Sequence, residues 1–299
     1  MRQHFLIPLD GSRLAETVLP GTLELARRCQ ARLTLLHILE QSAPMTIHGD
    51  RHLHHLTEAE IYLAELADRL EFPQEQIRLE VHPYPEADVA HSIFLHAQEL
   101  SADLVVLSTH GYLGLREWLF GSVPQKVLRR DAPPVFLLQP TPNGAAPEFR
   151  PRRAVVYLDL SAGEAGLQVA EEWAQRYGME LHLLMCIPTR ATLTGARAAT
   201  GMLLPTTMTA SLDWAAQDAA DQLRAHRDRL QASGIKATVQ ITRGDSLVRL
   251  VEIARGLAAD LLCLTTRGES GLSALGTDEV ASKILTRFSG ALLLVHTDD

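Results

Sequence analysis

Cysteine is scarce: Cys29, Cys186 and Cys263 are the only three in 299 residues. They form no even set and have no metal-ligand spacing, which argues against a disulfide scaffold or a cysteine-based zinc site and leads us to expect a reducing compartment. Basic charge is also lacking. The formal net charge is −8, and residues 1–140 carry 12 Lys+Arg against 18 Asp+Glu. A nucleic-acid partner, which needs a basic face, is therefore not expected. No apolar run approaches the ~20 residues of a membrane span, and the N-terminal stretch already reads as a strand entering a turn rather than a signal peptide. The expected location is cytoplasmic, with no membrane partner. Missing too are a Walker-type lysine loop, a His-Glu-x-x-His helix and a Gly-x-Ser-x-Gly elbow, so no familiar catalytic machinery is on view.

What is present is organised around Leu104–Leu107, a short apolar run of the kind buried on both faces of a parallel sheet. It breaks into Ser108-Thr109-His110-Gly111, passes Gly114 and meets Gly121-Ser122 at the start of a helical segment. Glycines let backbone N–H groups approach an anion, and a helix N-terminus adds partial positive charge, so strand, turn and helix start together describe a phosphate cradle. Ser122, with the N–H groups of Ser122 and Val123, is the expected phosphate contact; the same groups would equally serve a plain helix cap. Asp10, after the strand Phe5–Leu9, reads either as a ligand-facing carboxylate or, in Asp10-Gly11-Ser12, as a turn and cap.

Around this stretch the first half alternates strands and helices. A helix is expected from the Asp10 turn to about Gln30, then strands at Leu33–Leu39 and Ile77–His82, helices at Glu58–Leu70 and Val89–Leu100, and a last strand at Val135–Leu138. That order implies βαβ units and a mainly parallel sheet. The second half repeats it. Asp159 follows Asp10 by 149 residues, and Leu184–Ile187 echoes Leu35–Ile38 at the same offset. Ala259-Asp260-Leu261 echoes Ala102-Asp103-Leu104 at 157, as Gly268 echoes Gly111. Two steady offsets are the mark of duplication. We expect domains at 1–140 and 153–299, joined by a Pro- and Gly-rich linker at 141–152.

The spacing Ser108-x2-Gly111-x9-Gly121-Ser122 resembles the nucleotide signature of the universal stress protein family, glycine-x2-glycine-x9-glycine-serine/threonine. Two positions depart: Ser108 replaces the first glycine, and Tyr112 stands where a basic residue is frequent. The resemblance covers nearly the whole chain in tandem. It implies an α/β fold of two Rossmann-like (adenine nucleotide alpha hydrolase-like) domains, each an open parallel five-stranded sheet of order 3-2-1-4-5 with helices on both faces. It further implies a stress-response regulator or chaperone-like factor that binds ATP, with or without Mg²⁺, or AMP or another adenine nucleotide. The site residues it implies are Pro8, Leu9, Asp10, Ser12, Ile38, Leu107, Ser108, His110, Gly111, Gly114, Gly121, Ser122 and Val123. Ile38 would meet adenine through its backbone, and His110 would shape the loop rather than catalyse.

At offset 157, Asp278 and Glu279 stand where Gly121 and Ser122 do; the alternative, Gly276-Thr277, leaves the loop two residues short. Carboxylates there would repel a triphosphate, so ATP is expected in the first domain and a weak or empty site in the second. His48, His52 and His55 would share a face only if helical; proline and glycine nearby favour a loop, and no metal is expected. Thr189–Thr207 shows no clear periodicity. The apolar last strands, Pro134–Leu138 and Ala291–His296, lie at the expected sheet edges and invite pairing between the two domains or in a homodimer. Two other readings stand: a slow ATPase or nucleotidyl-transfer enzyme, and a scaffold that binds no nucleotide.

Overall fold

The computed structural model describes residues 3–109, 127, 132–141, 144–147, 149–158, 164–193, 195–267 and 284–297. Its first strand, β1 (His4–Pro8), is buried along nearly its whole length. It leads through a turn into two helices, α1 (Arg13–Glu16) and α2 (Leu19–Cys29), rather than the single expected one. Pro20 at the first turn favours a fresh start there, and Gln30 closes α2 in the left-handed region at φ 53°. β2 (Arg32–Glu40) follows, then a hairpin that the sequence did not announce, β3 (Thr46–Ile47) and β4 (Asp50–Arg51). After α3 (Leu56–Arg69) come β5 (Ile77–Glu86), longer than expected, α4 (Val89–Glu99), β6 (Leu104–Ser108) and β7 (Val135–Leu138).

The second half holds β8 (Arg153–Tyr157), α5 (Ala165–Tyr177) and β9 (Glu180–Ile187). The stretch without periodicity proves largely helical: α6 (Gly195–Leu203) precedes the long α7 (Pro205–Ala232). β10 (Ala237–Arg243), α8 (Ser246–Gly256), β11 (Leu261–Arg267) and β12 (Ala291–Thr297) complete it. No helix among the described residues is long and apolar enough to cross a membrane.

Each half has strand order 3-2-1-4-5, and the halves merge into one ten-stranded sheet, β10-β9-β8-β11-β12-β7-β6-β1-β2-β5. Every pairing in it is parallel except the central one, β12 with β7. There Leu292, Leu293 and Leu294 face Leu137, Phe136 and Val135. Phe136 thus lies opposite Leu293, the residue 157 positions later that duplicates it. The junction is isologous, a homodimer interface built within one chain.

Smaller features repeat as faithfully. Asp88 and Asp245, 157 apart, cap α4 and α8 by accepting from His91 N and Val248 N. Asp103 Oδ2 accepts from His4 N at 2.8 Å, and Asp260 Oδ2 from Arg153 N at 3.0 Å. Core residues lie on both faces of the sheet, and both clusters run across the junction. The Phe136 ring packs tilted against Phe149 and Trp173, with centroids 5.0 and 5.3 Å away, while the Gln139 amide donates to Leu285 O at 2.9 Å. Phe149 is buried, so the joining segment is pinned to the core at that residue, while Gly144, Ala145 and Ala146 are exposed.

Candidate functional site

In each half the chain leaves the first strand toward one side of the sheet and reaches the fourth strand on the other. Such a reversal of strand order is where a doubly wound sheet opens a crevice, at the carboxyl ends of those strands. In the first half its floor is β1 and β6, paired through Phe5 with Leu104 and Leu6 with Val105. Leu9 and Leu107 are buried there, each in one of the two core clusters, and Pro8 is half-buried. Leu9 N extends the ladder to Leu36 O at 2.8 Å, and Leu9 O accepts from His37 Nδ1 at 2.7 Å. That bond leaves His37 Nε2 buried and unpartnered. Burial pulls the His37 pKa below the ordinary value, against the opposing pull of the Leu9 carbonyl and Asp10.

Asp10 sits at the mouth. Its Oδ1 accepts two bonds from Ser12, from N at 2.8 Å and Oγ at 2.6 Å, which fixes the rotamer. Its Oδ2 stands 3.6 Å from His48 Nε2. Ser12 Oγ in turn accepts from Ala15 N at 3.1 Å and caps α1. Turn, cap and oriented carboxylate are therefore one arrangement, and the two readings of Asp10-Gly11-Ser12 are not exclusive. Gly11 is required by it: φ is 89°, and a Cβ there would lie 2.9 Å from Leu53.

Across the crevice, Ser108 Oγ lies 3.1 Å from Thr17 Oγ1, whose hydroxyl donates to Leu14 O at 2.6 Å. A glycine at 108 could not make this tie between the end of β6 and the end of α1. Thr17 escaped the sequence reading, having no motif around it. Ile38 is buried on β2 beside His82 of β5, two residues before β2 ends. The rest of the cradle, His110, Gly111, Gly114, Gly121, Ser122 and Val123, lies outside the described residues, as do Asp159, Gly268, Gly276, Thr277, Asp278 and Glu279.

The β3–β4 hairpin is the second feature missed. His48 and Gly49 have φ of 52° and 85°, the pair of positive values that a two-residue type I′ turn demands. Asp50 accepts from Arg13 N at 2.9 Å and Arg13 Nε at 3.1 Å, which anchors the hairpin over the start of α1. The helical face that would align His48, His52 and His55 is thus replaced by a turn and extended chain. Among the described residues no group of three or more His, Cys, Asp or Glu could hold a metal ion. His-Gly between β-formers was the signal available. Clefts of about 590 and 870 Å³ among the described residues lie elsewhere, at the amino ends of the second half's strands around Arg153, Glu180 and Lys236.

Comparison with known proteins agrees with this architecture. A solved universal stress protein from Archaeoglobus fulgidus DSM 4304 superposes with a TM-score of 0.70 at 18% identity, covering 100% of this chain and 98% of that one. A functionally unknown protein from Pseudomonas aeruginosa PAO1, PA1789, gives 0.65 at 17% over 99% and 93%. Universal stress protein YxiE of Bacillus subtilis (strain 168) is 27% identical over 148 residues, which is 46% of this chain and all of YxiE. The model described as "Universal stress protein family" matches twice, at residues 1–138 and 151–296, and the chain therefore belongs to that family as a tandem member.

Proposed function

We propose that the first half binds an adenine nucleotide, ATP foremost, in the crevice between the carboxyl ends of β1 and β6, and that the chain acts as a nucleotide-responsive stress regulator rather than a catalyst. The observation that carries this is the state of Asp10. Ser12 consumes Oδ1 and fixes the carboxylate, while Oδ2 stays at the mouth, where a ribose hydroxyl can donate to it. Such preorganisation costs nothing on binding and suits a polar group placed for recognition. The sequence motif Ser108-x2-Gly111-x9-Gly121-Ser122, of which Ser108 ends β6 beside β1, supports phosphate binding through backbone N–H groups. The second half is proposed to be weak or empty because Asp278 and Glu279 replace Gly121 and Ser122 at offset 157.

Native mass spectrometry of the freshly purified chain tests this directly. One nucleotide mass per chain is expected, lost on Asp10→Asn and retained on Glu279→Gln. A hydrogen bond to a charged acceptor contributes ~1.5–3 kcal/mol, so Asp10→Asn should weaken ATP binding by ~10–100-fold in calorimetry. Equal ATP affinity for wild type and Asp10→Asn would end the proposal.

A further inference from the structure

The crevice does not involve the polar cluster on the other side of Ile38. β5 is the outermost strand of the sheet at the first half's end. On it, His82 Nδ1 lies 3.1 Å from Nε2 of His96 on α4, with the two rings nearly perpendicular. The distal nitrogens each face a carboxylate: His82 Nε2 is 3.1 Å from Glu86 Oε1, and His96 Nδ1 is 3.9 Å from Glu99 Oε2. Both side chains are largely covered, His82 to 23% and His96 to 12% exposure.

We propose that His82 and His96 form a bis-imidazole site for one divalent transition-metal ion, zinc or copper, with water or an added ligand completing the coordination. At metal–nitrogen bonds of about 2.0–2.1 Å, two nitrogens 3.1 Å apart subtend about 95–102° at the metal, near the tetrahedral and square values. The Glu86 carboxylate on the far nitrogen of His82 is the arrangement that orients a metal-binding histidine and raises its basicity, while Glu99, 3.9 Å from His96 Nδ1, lies beyond hydrogen-bond reach. The proton inventory is consistent. The Nε2–H of His82 donates to Glu86, so its Nδ1 lone pair receives the Nε2–H of His96. Metal binding moves that single proton to His96 Nδ1, on the Glu99 side, and frees the second lone pair with no net proton release.

The second half is a built-in control. Ile187, which duplicates Ile38, faces Arg243 as Ile38 faces His82, and Ile253 stands 157 residues after His96. Neither arginine nor isoleucine ligates, so one metal per chain is expected.

Titration of the full chain with ZnCl₂, followed by long-range ¹H–¹⁵N spectra of the histidine rings and by calorimetry, tests the site. One equivalent should convert His96 from the Nε2–H to the Nδ1–H tautomer and leave His82 as Nε2–H. His82→Asn and His96→Asn should each weaken binding by on the order of 100-fold, and Glu86→Gln, which keeps both ligands, by ~10-fold. A His48→Asn/His52→Asn/His54→Asn chain should bind like wild type. The proposal is overturned if the first zinc perturbs other histidines, or if the Glu86→Gln and His96→Asn chains, shown folded by circular dichroism, bind zinc as wild type does.

Discussion

Phe136→Ala separates a shared core from two cores that merely touch. The side chain is fully buried on β7, opposite Leu293 of β12, and packs on Phe149 and Trp173. Truncating a buried phenylalanine costs about 3–5 kcal/mol, counting both lost transfer energy and the cavity. The two ring contacts, at ~0.5–1.5 kcal/mol each, are part of that sum rather than additional. With a urea dependence of about 3 kcal/mol/M, near the top of the range for small proteins, the midpoint should fall by about 1–1.7 M. The informative readout is where the loss appears. Hydrogen-exchange mass spectrometry across the urea series should show β2, in the first half, and β9, in the second, losing protection at the same lowered concentration, because the core clusters run through the junction. If β2 alone shifts and β9 keeps the wild-type midpoint, the halves are energetically independent and the reasoning fails.

A chain cut to residues 1–140 exposes the β7 edge with Val135, Phe136 and Leu137, and should pair with its own copy; sedimentation should give a dimer that Phe136→Lys abolishes, and a wild-type monomer would count against an isologous junction. Gly11→Ala should destabilise more than Gly49→Ala, since both have positive φ but only Gly11 has a neighbour in the way, Leu53 at 2.9 Å; thermal melts that rank them in reverse would reject the packing argument. Burial holds the pKa values of His4, His37 and His182 below 6.5 in the folded chain. As pH falls through about 6.5 the unfolded chain takes up protons first, so the melting temperature should drop between pH 7 and pH 5.5, and a flat or rising profile would contradict it.

Internal duplication shows which parts of this molecule could be read from its residues and which could not. Strands buried on both faces appear as uninterrupted apolar runs, so β1, β2, β6 and β7 were legible, and their counterparts β8, β9, β11 and β12 repeated them. The antiparallel junction was legible as two apolar edges that had to be covered, though not its register, which follows from the 157-residue offset only once Phe136 is seen against Leu293. By contrast, β3 and β4 are two residues each and their information lies in backbone angles at His48 and Gly49, which side-chain periodicity does not report. Thr17 and Ser108 meet across 91 positions, and His82 and His96 across two elements, so neither pair leaves a local pattern. Positions that hold the fold are the same in both halves: Asp88 with Asp245 at helix caps, Asp103 with Asp260 at strand starts. Positions that differ, Gly121-Ser122 against Asp278-Glu279 and His82 against Arg243, are the ones to which we assign ligand chemistry. One half can therefore lose a site without losing its structure, because its stability rests on the junction and the common core. A double exchange, Asp278→Gly with Glu279→Ser, should accordingly leave the melting temperature within ~1–2 °C, while raising the ATP stoichiometry measured by calorimetry toward two per chain. Unchanged stoichiometry would mean that the second half lacks more of the cradle than those two carboxylates account for.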